Sequence, residues 1–142
     1  MVGGHIDGHV SGLLVYRDSG HFESLQRILR GLTVETCSVR TCKEAREIIP
    51  LYKPHVIFTE STLADGSWAS ILDMAESAEA PINVIVVGSH PNTQHYLSVM
   101  ERGAYDFIAP PFEHDSLNFI LRSAVLNARY RRENSSPVAV DS

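Results

Sequence analysis

The sequence predicts an α/β domain, a five-stranded parallel sheet with helices on both faces. Short apolar runs alternate with segments of helical spacing, five times in succession, and the connections between them are short. Three of the runs, Leu13–Tyr16, Val56–Thr59 and Ile82–Val87, are nearly continuous in apolar residues, as expected of strands covered on both sides. At 142 residues and 44% hydrophobic content the chain can bury the core of one such domain.

The first strand is Leu13–Tyr16. Phe22, Leu25, Ile28, Leu29 and Leu32 then follow helical spacing, with Gly31 at the expected stop. Thr33–Cys37 alternates and is β-branched, giving the second strand. Thr41 with Glu44 three residues on is a capping-box signature, and Pro50 is expected to end the helix that follows. Pro54 leads into the third strand, Val56–Thr59. The third helix runs from about Ser67, with Trp68, Ile71, Leu72 and Ala75 on one face; Trp68 offers a fluorescence reporter. Pro81 opens the fourth strand, Pro91 suits the first turn of the fourth helix, and Gly103 is its expected left-handed cap. Tyr105–Ala109 is the fifth strand, and Leu117, Ile120, Leu121, Ala124 and Ala128 mark the fifth helix. Residues 1–11 read as a glycine-rich arm, 12–132 as the domain, and 133–142 as a disordered polar tail or linker.

The net charge of −5 is spread along the chain, which argues against direct nucleic-acid or membrane-surface binding. No apolar stretch approaches the ~20 residues of a membrane span. The first residues carry no basic n-region or apolar h-region, and Cys37 and Cys42 are expected to be free thiols, so the cytoplasm is the expected compartment. His5 and His9, and His90 and His95, have no third convergent ligand and read as solvated. Ser61 and Thr62 are loop hydroxyls with no base in sequence reach. Arg129, Arg131 and Arg132 end the fifth helix, where cations suit the helix dipole; a joint to an output domain or partner is the sharper reading.

The carboxyl edge of such a sheet is where ligand sites form. Glu60 ends the third strand there. Gly103-Ala104-Tyr105-Asp106-Phe107-Ile108-Ala109-Pro110-Pro111-Phe112 is similar to the Gly-Ala-x-Asp-Tyr/Phe-Leu-x-Lys-Pro-Phe of receiver domains of bacterial response regulators. Pro54-His55-Val56-Ile57-Phe58-Thr59-Glu60 resembles that family's third strand, and Asp65-Gly66 its start of helix 3. The resemblance spans roughly residues 12–131. It implies the flavodoxin-like strand order 2-1-3-4-5 and a cis Pro110–Pro111 bond.

Members of that family phosphorylate themselves on an aspartate at the third strand, with Mg²⁺ held partly by an acidic pair after the first. This chain departs from the pattern. Arg17 replaces the first acid and only Asp18 remains; Glu60 stands at the acceptor position, Gly88 at the hydroxyl by a gap-free count back from Pro110, with adjacent Ser89 the alternative, and Pro110 at the lysine. The resemblance therefore implies the fold and a signalling role, without autophosphorylation and with no cofactor. Asp18 and Glu60 are weak Mg²⁺ candidates, because the always-charged Arg17 opposes a dication. An Arg17–Glu60 ion pair in place of metal and phosphate is expected. Glu60 is left as a mimic of the phosphorylated state, a structural remnant, or a group with residual metal binding or phosphorylation. The implied output face is helix 4, strand 5 and helix 5, with Phe107, Tyr96, Glu101, Asp106 and Arg122 on or near it. It would serve a homodimer, a protein partner or an output domain. The alternative is a module, binding or enzymatic, that takes an anion or small molecule at the same edge with Arg17.

Overall fold

The computed structural model describes residues 8–134. In chain order the elements are β1 (Ser11–Val15), α1 (Ser19–Gly31), β2 (Glu35–Val39), α2 (Cys42–Tyr52), β3 (Val56–Glu60), β4 (Thr62–Leu63), β5 (Gly66–Ser67), α3 (Trp68–Ser77), β6 (Asn83–Val87), α4 (Thr93–Arg102), β7 (Asp106–Ile108) and α5 (His114–Asn134). The main sheet is parallel throughout, in the order β2-β1-β3-β6-β7. This is the expected arrangement of five strands. The antiparallel β4–β5 hairpin is not expected from the residue pattern and shifts the numbering of the later strands.

Successive residues of a strand point to opposite faces, and this sorts the core into two layers. Leu14, Phe58, Ile85 and Val87 pack with Phe22, Leu25 and Leu29 of α1 and with Leu117, Leu121 and Val125 of α5. Leu13, Val15, Ile57, Val84 and Val86 pack on the other side with Ile49 of α2, Ile71 and Leu72 of α3 and Val99 of α4. β1 and β6 are buried along their whole length, β3 up to Thr59, while the edge strands β2 and β7 are half-open. β1 starts at Ser11 with Val10 already buried, inside the stretch expected as an arm. α5 continues through Glu133 and Asn134, two residues past the expected end. His5 and the remainder of the expected tail lie outside the described residues.

Three local expectations are corrected. The second strand is Glu35–Val39, two residues later than its β-branched run, because Thr33 sits at φ 62° in the turn that closes α1. Pro50 does not end α2. A proline in the last turn removes only one amide donor, and the helix continues to Tyr52, where Lys53 at φ 48° closes it by donating its N–H to the Ile49 carbonyl at 2.9 Å. Pro91 precedes α4; its N-cap is Asn92, whose Oδ1 accepts the His95 N–H at 3.0 Å. The Thr41 cap forms as read, but Glu44 bonds the Arg40 N–H one residue early. Gly103 is the left-handed cap of α4, at φ 114°.

Candidate functional site

The carboxyl ends of β1, β3 and β6 open on a cavity of about 370 Å³, lined among others by Arg17, Asp18, Glu60, Ser61, Gly88 and His95. Glu60 is half-buried at its floor. The backbone N–H groups of Arg17 and Asp18 both donate to its Oε1, at 2.5 and 3.1 Å. The expected ion pair is absent: no nitrogen of the Arg17 guanidinium lies within 4 Å of the carboxylate, and the side chain is exposed. The physical reason is reach. Glutamate is one methylene longer than aspartate, and its oxygen arrives at the amides of the β1–α1 turn, which satisfy it without a cation.

The carbonyls of that same turn are held by Arg40, which sequence reasoning missed. Its Nε donates to the Tyr16 carbonyl at 2.9 Å and its Nη2 to the Arg17 carbonyl at 2.6 Å, while the guanidinium carbon lies 4.8 Å from the centroid of the Tyr16 ring. Asp18 is the N-cap of α1 and accepts the Gly20 N–H at 3.1 Å. A Mg²⁺ ion does not fit this donor set. One acid is spent on a helix cap, the other on two amides, and an arginine stands in the place of the third. Among the described residues no three His, Cys, Asp or Glu side chains converge in a metal-binding group.

At Gly88 the position of the missing side chain is already filled. A Cβ built there would lie 2.6 Å from Cζ and 2.9 Å from Cε1 of Phe107. The Phe107 ring therefore points inward and takes the room that a serine or threonine would need. His95 packs edge-on against Phe107, centroids 5.1 Å apart, and reaches Trp68 on its other side at 6.1 Å. Its Nε2 is 2.9 Å from Ser61 Oγ. This corrects the expectation that no base approaches the loop hydroxyls, although among the described residues the His95 ring has no carboxylate partner to orient it. His90 Nδ1 contacts Ser89 Oγ at 3.1 Å, and His9 faces Glu35 at 3.1 Å.

Asp65 does not begin the third helix, whose N-cap is Ser67; it lies in the turn between β4 and β5. Its carboxylate caps α2, accepting the Cys42 N–H at 2.7 Å and the Lys43 N–H at 3.0 Å. The bond from the Cys42 amide is the main reason its pKa lies below the usual carboxylate range. Gly66 is needed beside it, because a Cβ there would meet Cys42 Sγ and Ser70 Oγ at 2.8 Å. Burial, helped by Asp65, pushes the Cys42 thiol up.

Of the expected output-face residues, Tyr96 and Phe107 are brought together, with ring centroids 6.4 Å apart. Glu101 is exposed on α4, and Asp106 bonds its neighbour's N–H. Arg122 is not on the β7 side. Ser116 and Ile120 line the β7–α5 side, and two residues on from Ile120 is about 200° around a helix. Arg122 Nε is buried without an acceptor. Pro110 is half-buried, and the Pro110–Pro111 bond is cis.

The basic end of α5 bonds the protein itself. Arg132 donates to the carbonyls of Pro81, Lys53 and Pro54, Arg129 to that of His9, and Arg131 to Asn83 Oδ1. Asn83 in turn donates to the Ala124 carbonyl and Asn127 Oδ1. These bonds bolt α5 to the amino edge of the sheet, opposite the cavity.

No family model matches the chain. The nitrogen assimilation regulatory protein NtrX of Azorhizobium caulinodans is 32% identical over 106 residues, covering 70% of this chain and 23% of that protein. A crystal structure of NtrX from Brucella abortus superposes with a TM-score of 0.76 at 26% identity, over 90% of this chain and 29% of that one. The beryllofluoride-activated NtrC4 receiver domain, a dimer, gives 0.73 at 22% identity, over 83% and 98%. The fold, the edge cavity and these likenesses define an α/β signalling module. The chain belongs with the receiver domains of two-component response regulators. It spans about a quarter of the length of the curated relatives it matches.

Proposed function

We propose that this receiver domain signals without phosphorylation, through protein contacts made by the face that contains α4, β7 and α5. The observation that carries the reading is the Phe107 ring in the place of a side chain at position 88. A hydroxyl there would link a phosphoryl group at the cavity floor to the α4–β7 surface. Here that link is replaced by an aromatic already packed inward. Glu60 supports the same reading, because its inner oxygen is taken by two backbone amides. The domain works with no cofactor and as no enzyme, in the cytoplasm, and self-associates or holds a protein partner or output domain. Direct nucleic-acid contact is not part of the reading, since Arg129, Arg131 and Arg132 at the end of α5 are engaged with the domain's own carbonyls and Asn83. The test is incubation with acetyl phosphate and Mg²⁺ followed by intact-mass spectrometry. No phosphoryl group is gained on this reading; stoichiometric gain on Glu60 overturns it.

A further inference from the structure

A second cavity, of about 620 Å³ against about 370 Å³ at the carboxyl edge, opens between α2 and α3 towards the amino edge of the sheet. Its floor is apolar: Ile49 and Pro50 of α2, Met74 and Ala78 at the end of α3, and Ile82 at the entry to β6. Its walls carry hydrogen-bond acceptors. Pro50 has no N–H, so the Arg46 carbonyl lacks the donor that a helix supplies four residues on. The last carbonyls of α3 face the same end, and neither helix has a basic residue in its last turn to bond them. Such a groove suits an occupant that brings N–H donors together with small apolar groups, and an extended peptide brings both.

The charges add a direction. Arg46 and Lys53 line the groove and form no ion pair among the described residues, while Asp73 on the facing wall is taken by Arg102. The two cations are seven positions apart on α2 and its cap, about 10 Å along the axis. The chain itself brings a peptide to the Lys53 end. α5 runs to Asn134, and two residues earlier Arg132 donates to the carbonyls of Lys53 at 3.2 Å and Pro81 at 2.9 Å, on the rim of the groove. Residues 135–142 lie outside the described residues and read Ser-Ser-Pro-Val-Ala-Val-Asp-Ser. Ser135, Ser136 and Pro137 are uncharged, so they pass Glu79 at the mouth without repulsion, and they reach at most about 10 Å. Val138 to Asp141 cover about 10 Å more when extended, the separation of Lys53 from Arg46.

We infer that Val138-Ala139-Val140-Asp141 docks as an extended strand in the α2–α3 groove of its own domain. Val138 and Val140, on one side of such a strand, lie on the apolar floor, and Asp141 meets Arg46. The inference is separate from the reading of the cavity at the carboxyl edge, and neither depends on the other.

The test attaches a nitroxide to Ala139→Cys, which faces out of the groove, in a Cys37→Ser background with Cys42 buried. In methyl NMR of the whole chain the signals of Ile49, Met74 and Ile82 broaden, while those of Val87 and Leu117, towards the carboxyl edge, stay sharp. Val138→Asp with Val140→Asp lowers the docked-to-free ratio roughly tenfold or more and restores the groove signals, with unchanged circular dichroism. Asp141→Arg weakens the broadening, and Arg46→Glu in the same chain brings it back. Groove signals that stay sharp beside the nitroxide overturn the inference, as does broadening that survives the paired valine substitutions or a charge exchange that restores nothing. Broadening of equal size with the nitroxide and the isotopes on separate chains assigns the groove to the tail of a second copy and overturns it too. So do groove signals that shift with added octanoate but not with the tail substitutions, which assign the groove to a free apolar anion.

Discussion

Gly88→Ser tests the core of the proposed reading, because it restores a hydroxyl where the Phe107 ring now sits. The new Cβ would stand 2.6 Å from Cζ of that ring and 3.4 Å from the His90 carbonyl oxygen. Contacts under 3 Å are not tolerated, so the half-buried ring has to swing outward and leave its edge contact with His95. Overpacking of this kind costs about 1–3 kcal/mol. For a domain of this size that is a fall in Tm of roughly 3–10 °C. The deciding measurement is a double-mutant cycle by urea unfolding. Phe107→Ala removes the obstacle, so Gly88→Ser should cost less than about 0.5 kcal/mol in that background, leaving a coupling of about 1 kcal/mol or more. Trp68 fluorescence, which senses His95 at 6.1 Å, should shift in Gly88→Ser and in Phe107→Ala. Additive costs in the cycle, or a neutral Gly88→Ser in wild type, would refute the claim that one ring occupies both positions.

Glu60→Ala removes the acceptor of two amides and should cost about 1 kcal/mol in urea unfolding, while Glu60→Gln, which keeps one acceptor oxygen, should cost less than half of that; equal costs would contradict the bonding. Arg17→Ala should lie within about 0.5 kcal/mol of wild type, because only its backbone is used, whereas Arg40→Ala should cost about 1–2 kcal/mol through two unheld carbonyls. His55 is held at a pKa of about 4, first by burial and then by Arg132, Arg129 and His9, and its Nδ1 accepts the Ser11 N–H at 3.2 Å. Its folded pKa lies below the unfolded value of 6.5. The unfolded chain therefore binds the proton first, and stability falls as pH drops from about 6.5 to about 4. His55→Gln should flatten that limb in pH-dependent thermal melts; an unchanged slope would remove His55 as its source. Cys37 should be alkylated in the native protein, and Cys42, buried with a raised pKa, only on unfolding.

The residue pattern carried most of the fold, for a physical reason. β1, β3 and β6 are covered on both faces, so nearly every residue in them is apolar and the runs stand out. β2 lies at an edge, where half-exposed Thr36 and exposed Ser38 are acceptable, and its position came out two residues early. The β4–β5 hairpin has only two residues per strand, too few for a period. Pro50 misled because the penalty of a proline depends on how many turns follow it, and only two residues do. In the site, the position of Glu60 was legible and its partner was not. The amides that hold it are 43 and 42 residues away, and backbone donors leave no mark on a sequence. Ser61 and His95 are separated by 34 residues and Arg40 and Tyr16 by 24, so each pair exists only once the sheet has formed.

The departures at the cavity compensate one another, which is why they are better read together than singly. Losing the side chain at position 88 leaves a void beside β7, and voids are costly in a close-packed interior; Phe107 fills it. Lengthening the acid at position 60 carries its oxygen to the β1–α1 turn, where an arginine at position 17 contributes its amide and keeps its charge in solvent. Arg40 then holds the opposite side of that turn by two carbonyls. A metal or phosphoryl group entering here has to break bonds that already satisfy the acid and displace a ring that is already packed. The bolts of α5 lie at the other edge of the sheet, away from the cavity. A surface fixed from the amino edge needs no signal from the carboxyl edge to hold its shape, which is what the proposed phosphorylation-independent reading requires.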